Sequence, residues 1–175
     1  PGGGLYMQES VFHNTQVETI YGPRRSKDNA IYRFDPRTHR LEIASRLPPG
    51  GNPWGYAINQ WGEHLYVGRH NNASLINQPE SGNVANANYG NRDNRNCGQE
   101  FISSRHWPDE LQGKVFSNQY KNFQGVLIHD WTEKGTTYDH KRLGKVFEAQ
   151  NKACIPVDLQ LGPEGALYVA DWYNP

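Results

Sequence analysis

Cysteine is scarce in this chain of 175 residues, which contains only Cys97 and Cys154. The two lie far apart and neither belongs to a C-x-x-C motif, so the sequence supports neither zinc nor covalent haem attachment within this segment. A disulfide formed in an oxidising compartment and two unpaired thiols are both compatible with this spacing. Long apolar runs are missing too: no stretch of about 18 apolar residues occurs, so no membrane span is predicted.

Neither sign of charge is in excess, because 18 Lys and Arg residues balance 18 Asp and Glu residues. The chain therefore has no net charge that would attract nucleic acid or an anionic membrane, and we expect no nucleic-acid partner. The G-x-S-x-G, P-loop, H-E-x-x-H and dinucleotide-binding signatures are absent as well. Their absence disfavours serine-hydrolase, P-loop nucleotide, zincin and Rossmann cofactor chemistry.

Helical patterning is nearly absent, with one turn predicted at 109–112 after Pro108. The chain instead contains 18 Gly and 11 Pro residues, a composition typical of a turn-rich β protein. Its aromatic content of 12% argues against disorder despite the low mean hydropathy. The composition therefore predicts an all-β fold.

A short apolar–aromatic strand motif occurs four times, at 3–7, 63–67, 113–117 and 165–169. The central pairs are Leu-Tyr, Leu-Tyr, Val-Phe and Leu-Tyr, spaced by roughly 50 to 60 residues. A repeat of this length built on a short strand predicts a β-propeller, in which each repeat is one small sheet around a central axis. About three such units are present, so we expect residues 1–175 to be a partial propeller domain cut from a longer chain.

Alternating apolar residues and turn signals place individual strands. We predict a hairpin with strands at 155–161 and 166–171 around a turn at 162–165. Outer strand pairs are predicted at 30–34 with 40–44 and at 125–131 with 143–149. Residues 69–99, dense in Asn, are expected to form a long polar insertion rather than strands, the kind of loop that often carries function.

Two polar loops are candidate sites. The segment 102–108 contains Arg105 and His106, and a histidine beside a fixed positive charge suits a general base that titrates near neutral pH. The alternative is a surface loop whose histidine caps a turn and whose tryptophan packs on a neighbouring sheet.

The second loop, 8–25, follows a repeat strand directly and is rich in groups that ligate, abstract protons or clamp anions. Its candidate residues are Gln8, Glu9, His13, Arg24 and Arg25, and the paired arginines suit forked hydrogen bonds to a carboxylate. The alternative is a solvated polar connection.

A third set comprises the carboxylates Asp158, Glu164 and Asp171 in the last repeat. Hard oxygen ligands on β-loops suit calcium. Such acids also serve as turn caps and as hydrogen-bond partners between sheets, which is the alternative here.

Five stretches together resemble a known family: 3–24, 52–55 with 61–62, 103–108 with 112–113, 122–125, and the closing GPEGALYVADWYNP at 162–175. They look like the propeller domain of the membrane-bound dehydrogenase-like, haem-binding proteins of planctomycetes and verrucomicrobia. Residues 69–99 match poorly. That domain is in turn similar to the soluble glucose and sorbosone dehydrogenases, which are six-bladed quinoproteins.

The resemblance implies a periplasmic or otherwise exported oxidoreductase. It would oxidise a sugar-like alcohol or aldehyde with pyrroloquinoline quinone and calcium, and pass electrons to a c-type cytochrome, with haem only in a domain outside this segment. By loop position, His106 or His13 would be the catalytic base. Arg105, Arg24, Arg25 and Gln8 would bind the cofactor, and Glu9, Asp158 and Asp171 would bind the metal.

Two other functions stay open at this point. One is a non-catalytic propeller that serves as a scaffold or binding module in an exported redox assembly, with the remaining blades and domains of the same protein as its partners. The other is a calcium-dependent, lactonase-like hydrolase that uses Glu9, Asp158 and Asp171.

Overall fold

The computed structural model describes residues 3–10, 12–27, 30–46, 54–67, 72–78, 83–88 and 96–173. These residues form an all-β fold with a single turn of 3-10 helix at Asp109–Leu111, as the sequence predicts at that place. None of the described segments is a helix long and apolar enough to cross a bilayer. In chain order the strands are β1 (Leu5–Gln8), β2 (Asn14–Val17), β3 (Arg24–Lys27), β4 (Ala30–Asp35), β5 (Arg40–Arg46), β6 (Gly55–Ile58), β7 (His64–Val67), β8 (Asn72–Gln78), β9 (Asn83–Asn88), β10 (Gln99–Phe101), β11 (Val115–Gln119), β12 (Gly125–Lys134), β13 (Thr137–Glu148), β14 (Pro156–Leu161) and β15 (Leu167–Asp171).

The strands build small antiparallel sheets in chain order. The first sheet has the order β1-β4-β5, with the β2-β3 hairpin inserted between its first two strands. The second sheet, β6-β7-β8-β9, and the third, β10-β11-β12-β13, are four-stranded meanders in which each strand pairs with the next. The fourth sheet is the β14-β15 hairpin. The described strands do not close into a ring.

The repeated motif falls on equivalent strands, namely β1, β7, β11 and β15. The last three of these each pair antiparallel with the strand just before them in the chain. The predicted hairpin at 155–171 is confirmed, with its turn from Gly162 to Gly165 closed by a backbone hydrogen bond. The predicted pair at 30–34 and 40–44 is confirmed as β4 and β5.

The expectation that 69–99 is a polar insertion without strands is wrong. Two strands, β8 and β9, lie inside it and complete the second sheet as its outer strands. The ladder depends on backbone hydrogen bonds, which an Asn-rich segment supplies as well as an apolar one. The prediction at 125–149 placed the right pair of strands but made both too short. The pairing of β12 and β13 continues up to Lys134 and Thr137, with register shifts after Val126 and after Ile128.

Apolar clusters join each sheet to the next. Between the first and second sheets, Ile31 packs with Tyr66. The second and third sheets share a cluster of Ala57, Leu65, Val67, Val115 and Trp131. The third and fourth share a cluster of Ile102, Phe116, Val126 and Leu159. Burying each of the larger side chains stabilises the fold by roughly 1.5–3 kcal/mol, so the sheets are held face to face.

One glycine marks a place where two strands approach too closely for any side chain. A Cβ on Gly125 would lie 2.2 Å from the backbone carbonyl oxygen of Phe147 on the paired strand β13. Gly144, also on β13, has no atom within 4 Å of its Cβ position. The two glycines therefore form a matched pair for testing the β12–β13 contact.

We predict that Gly125→Ala lowers the free energy of unfolding by about 1–3 kcal/mol, because backbone must move to admit the methyl group. Gly144→Ala should change it by less than about 0.5 kcal/mol, since the site is open. Urea unfolding of the two variants beside the parent measures both values. Equal effects of the two substitutions would contradict the close approach.

Candidate functional site

The first strands of the second, third and fourth sheets begin at one end of the fold, termed here the entry end. A Cβ on Gly55, the first residue of β6, would contact the Cys97 carbonyl oxygen and the Gln99 side chain, just before and at the start of β10. A Cβ on Gly98 would lie 2.9 Å from the Cα of Asp158 near the start of β14. These close approaches bring the three strand starts together.

Strand β1 runs toward the same end. The ring of Tyr6 packs edge-on against His64 at the start of β7, with centroids 5.3 Å apart. Ile31, the ladder partner of Gln8, packs on Tyr66 further along β7. Because β7 runs back to the first residue of β6, the end of β1 and the loop that follows it lie at the entry end.

Arg105 and His106 lie at the opposite end, in the loop that joins the last residue of β10 to β11. His106 packs against Gly165 in the β14–β15 turn, and a Cβ there would lie 2.6 Å from two atoms of the histidine. Gly165 also has a φ of 83°, a left-handed conformation that favours glycine. Trp107 donates a 2.9 Å hydrogen bond from Nε1 to the Gly165 carbonyl oxygen.

These contacts match the alternative in which this loop packs on a neighbouring sheet. They also separate the two predicted bases, because His13 lies beside Glu9 in the loop at the entry end. The expectation that His13, His106 and Arg105 belong to one site is therefore corrected: the structure puts them at opposite ends of the sheets. Loops after successive antiparallel strands lie at opposite ends, and 102–108 precedes a repeat strand, whereas 8–25 follows one.

Glu9 anchors the β2-β3 hairpin. Its carboxylate accepts hydrogen bonds from the Thr15 hydroxyl, from the Ser26 hydroxyl at 2.8 and 2.9 Å, and from the Ala30 backbone N–H at 3.1 Å. Burial alone would raise its pKa, but these hydrogen bonds outweigh burial and hold the pKa below its ordinary value. The carboxylate oxygens predicted to bind a metal are thus already engaged within the fold.

The predicted cofactor clamps are engaged locally as well. Arg24 donates from Nε to the Leu41 carbonyl oxygen at 2.9 Å, which ties β3 to β5. Arg25 donates from Nε to the Gln16 side chain at 2.7 Å, within the same hairpin. Gln8 is half-buried, and its amide nitrogen has no hydrogen-bond partner among the described residues.

The remaining predicted metal ligands lie on the β14–β15 hairpin. Asp158 is exposed and accepts a hydrogen bond from the Leu159 N–H at 2.9 Å. Asp171 accepts one from the Ile155 N–H at 2.6 Å. Across the described part of the chain, no three His, Cys, Asp or Glu residues lie close enough to hold a metal ion. Asp158, Asp171 and Glu9 therefore do not come together as one three-residue group among the described residues.

A buried group of polar side chains occupies the entry end of the third sheet instead. It is termed the amide cluster and comprises Asn96, Gln99, Ser117, Asn118 and Gln119. Asn118 accepts hydrogen bonds at Oδ1 from the Cys97 and Gly98 N–H groups, at 2.9 and 2.8 Å. These bonds fix the segment that leads into β10 against the end of β11.

Two atoms of this cluster are buried without hydrogen-bond partners among the described residues. They are Nδ2 of Asn118, whose residue is 0% exposed, and Oε1 of Gln99, whose residue is 3% exposed. A Cβ on Gly98 would lie 3.0 Å from this Asn118 nitrogen and 2.9 Å from the Cα of Asp158. The two residues therefore approach each other at this glycine. A buried amide left unpaired costs about 1–3 kcal/mol, so such groups mark places where water or a ligand completes the site.

Acidic groups lie next to the cluster. Partial burial, together with the negative charge of Asp158, raises the pKa of Glu100 to about 7. Burial also raises the pKa of the Cys97 thiol, to about 11, so this cysteine is an inert thiol at neutral pH. Cys97 and Cys154 are both free in the structure, with no disulfide between them.

A cleft of about 420 Å³ opens between β1, β6, β10 and β14. Its lining includes Tyr6, Tyr56, Glu100 and Gln160. Asp158 lies two residues before Gln160 on β14 and therefore on the same face of that strand. At the entry end Trp54 is 42% exposed, with its ring centroid 6.5 Å from that of Tyr120.

Sequence reasoning missed Gln99, Glu100 and Asn118. Glu100 and Gln99 follow directly on an Asn-rich stretch that carries no strand pattern, and Asn118 belongs to a repeat strand that is normally apolar. One signal was present: the repeat strand β11 continues into Ser117-Asn118-Gln119, three polar residues where an alternating strand has one or two.

The fold and this cluster define an all-β protein of packed meander sheets with a polar site at one end. The chain belongs to a family described as a domain of unknown function (DUF7133), whose profile matches residues 78–175, more than half of the chain. The match includes every strand from β9 to β15 and hence the whole amide cluster. No curated protein and no solved structure matches the chain.

The raised pKa of Glu100 predicts a pH-dependent stability. The folded pKa of about 7 exceeds the ordinary value of 4.5, so the group's favourable contribution is complete below pH 4.5 and is lost as the pH rises through 7. Glu100→Gln should therefore stabilise the protein at pH 8 by on the order of 1 kcal/mol, after allowance for solvent screening, and have little effect at pH 4. Chemical denaturation at the two pH values measures this difference.

The exposed carboxylate of Glu110 at the opposite end supplies the control, and Glu110→Gln should show no such pH dependence. A Glu100→Gln effect that is the same at pH 4 and pH 8 would show that this carboxyl does not titrate near neutrality.

Proposed function

We propose that the chain is part of a β-propeller. Three observations support this: two four-stranded meanders lie in succession, each sheet packs its face on the next, and the first strands of three sheets begin at one end. Face-to-face packing of such sheets around an axis is the propeller architecture. The cleft between β6, β10 and β14 would then lie on the axis.

We propose further that this propeller is a binding module for a small hydroxylated molecule at the entry end. The observation that carries this is the unpartnered Nδ2 donor of Asn118, buried where the backbone of the exposed Asp158 approaches Gly98. A ligand hydroxyl group can accept a hydrogen bond from the Asn118 amide and at the same time donate one to the Asp158 carboxylate.

The surroundings fit the same class of ligand. Glu100 adds a second carboxyl group, near enough to Asp158 that the Asp158 charge raises its pKa. Two neighbouring hydroxyl groups of a ligand could then each donate a hydrogen bond to a different carboxyl group. The exposed ring of Trp54 offers an apolar face at this end, and small-molecule sites combine such apolar faces with few polar groups. Location of the protein outside the cytoplasm, as the resemblance implies, is part of this proposal.

Asp158→Asn tests the binding site, because the isosteric amide keeps the bond from Leu159 but removes the charge. We expect saturable binding of at least one of sorbitol, methyl glucoside and inositol, weakened at least about tenfold by Asp158→Asn. Asp109→Asn, an exposed carboxylate at the opposite end, should leave the affinity unchanged. Isothermal titration calorimetry gives the dissociation constants, and equal affinities for the two variants would refute the placement.

The oxidoreductase implied by the resemblance is a second candidate, and Glu100 favours it. A carboxyl group with a pKa near 7 can accept the proton of a substrate hydroxyl at neutral pH. The described residues do not provide the arginine clamps or the three-ligand metal group that quinone and calcium would need. Electron transfer to a c-type cytochrome and a quinone cofactor are therefore proposals that rest on the resemblance alone.

Addition of pyrroloquinoline quinone and calcium to the protein tests this second candidate. Dye reduction in the presence of a polyol, abolished by Glu100→Gln and retained in His106→Gln, is the result expected for a dehydrogenase with its base at the entry end. Binding of the polyol without dye reduction would support the binding-module proposal and exclude the oxidoreductase.

A further inference from the structure

A separate cavity of about 240 Å³ lies at the opposite end, in the seam between the second and third sheets. The β6–β7 turn forms one wall, and the ends of β10, β12 and β13 form the other. Its chemically distinctive lining residues are Trp61, Glu63, Phe101, Trp131, Glu133 and Tyr138. Four aromatic rings and two carboxylates thus surround a space the size of a small organic group.

Three of the aromatic rings are held in place by the core. Trp131 belongs to the apolar cluster that joins the second and third sheets, and Phe101 and Tyr138 pack against that cluster. Trp61 is different: it lies on the β6–β7 turn and is 78% exposed. A large aromatic side chain so exposed at the mouth of an aromatic cavity is placed to cover whatever enters.

Glu63 is fixed in orientation before any ligand arrives. Its two carboxylate oxygens accept hydrogen bonds from the Tyr138 hydroxyl and from the Asn59 side-chain amide. Burial, the hydrogen bond to Glu63 and the charges of Glu63 and Glu133 all raise the pKa of Tyr138, so both carboxylates act on the same ring. The cavity therefore holds two negative charges close together.

No positive side chain offsets these charges within the described lining of the cavity, which contains no Lys, Arg or His. The nearest lysines in sequence are committed elsewhere: Lys134 pairs with Asp139 and Lys114 with Asp130, at 2.8 and 2.7 Å. Among the described residues, neither Glu63 nor Glu133 forms an ion pair.

We propose that this cavity binds an organic ammonium cation, with Trp61, Trp131 and Tyr138 around the cation and the carboxylates of Glu63 and Glu133 beside it. Aromatic faces attract cations through their quadrupole and favour weakly hydrated alkylammonium groups. Calcium takes six to eight oxygens, whereas both oxygens of Glu63 already accept hydrogen bonds and four aromatic rings line the cavity, so the site suits an organic cation better than this metal ion.

The cation has two possible sources, a free quaternary amine or an alkylated lysine on a partner protein. Titration calorimetry with choline, with a short peptide containing trimethyllysine, and with 3,3-dimethylbutan-1-ol separates them. The alcohol has the shape of choline without its charge. Binding of choline or of the peptide supports the site, and the tighter of the two identifies the source.

Two variants and two matched controls locate the binding. Trp61→Leu and Glu133→Gln should each raise the dissociation constant of the cation at least about fivefold, the size expected for loss of a cation–π contact or a nearby charge. Trp172→Leu and Glu18→Gln, at an exposed tryptophan and an exposed glutamate outside the cavity, should leave it unchanged. Thermal melting of all four proteins confirms that they fold.

Three results would overturn the proposal. They are no saturable binding of either cation, equal affinity for choline and the neutral alcohol, and an unchanged dissociation constant in Trp61→Leu. None of these outcomes bears on polyol binding at the entry end, because the two sites lie at opposite ends of the sheets.

Discussion

The face-to-face packing of successive sheets is the interaction on which the rest of this structure depends. Each described sheet has only two to four strands, and a lone two-stranded hairpin is only marginally stable in water. The three apolar clusters each take residues from two sheets that follow one another in the chain. Neighbouring sheets therefore stabilise one another, since each apolar cluster among the described residues spans two sheets.

This packing leaves the strand ends free for chemistry. The inner strands are covered by neighbouring sheets, and the polar groups of the two candidate sites lie where strands begin and end. The entry end holds the amide cluster with Glu100 and Asp158, whereas the opposite end holds Trp107 against Gly165 and the aromatic cavity of the second seam. The two proposed sites therefore differ in chemistry and lie at opposite ends of the sheets.

Much of the fold could be predicted from the sequence, because alternation and glycine turns mark strands directly. The hairpin around Gly165 and the β4–β5 pair were both predicted in this way. Strands β8 and β9 could not be, since their ladder is made by backbone groups and their residues are mostly polar. Backbone groups can pair into a strand whatever the side chains are, so residue composition alone does not reveal such a strand.

The site was harder to predict for a different reason. Histidine and arginine are obvious candidate site residues in a sequence, but the end of the sheet at which each one lies depends on strand direction. Counting strands from the repeat would have separated His13 from His106, since an antiparallel strand reverses the chain between them. No such sequence signal marks Asn118 and Gln99 as site residues. An amide points to a site only when it is buried without a hydrogen-bond partner, and burial is known only from the fold.

Two of the polar links between described sheets have a mechanical consequence. Tyr138 bonds to Glu63 across the second seam and Trp107 bonds to Gly165 across the third, and both links lie at the same end. At the entry end, the backbones of the third and fourth sheets approach closely at Gly98. Separating the sheets at the opposite end therefore requires breaking a hydrogen bond in each of the two seams as well as parting the apolar contacts.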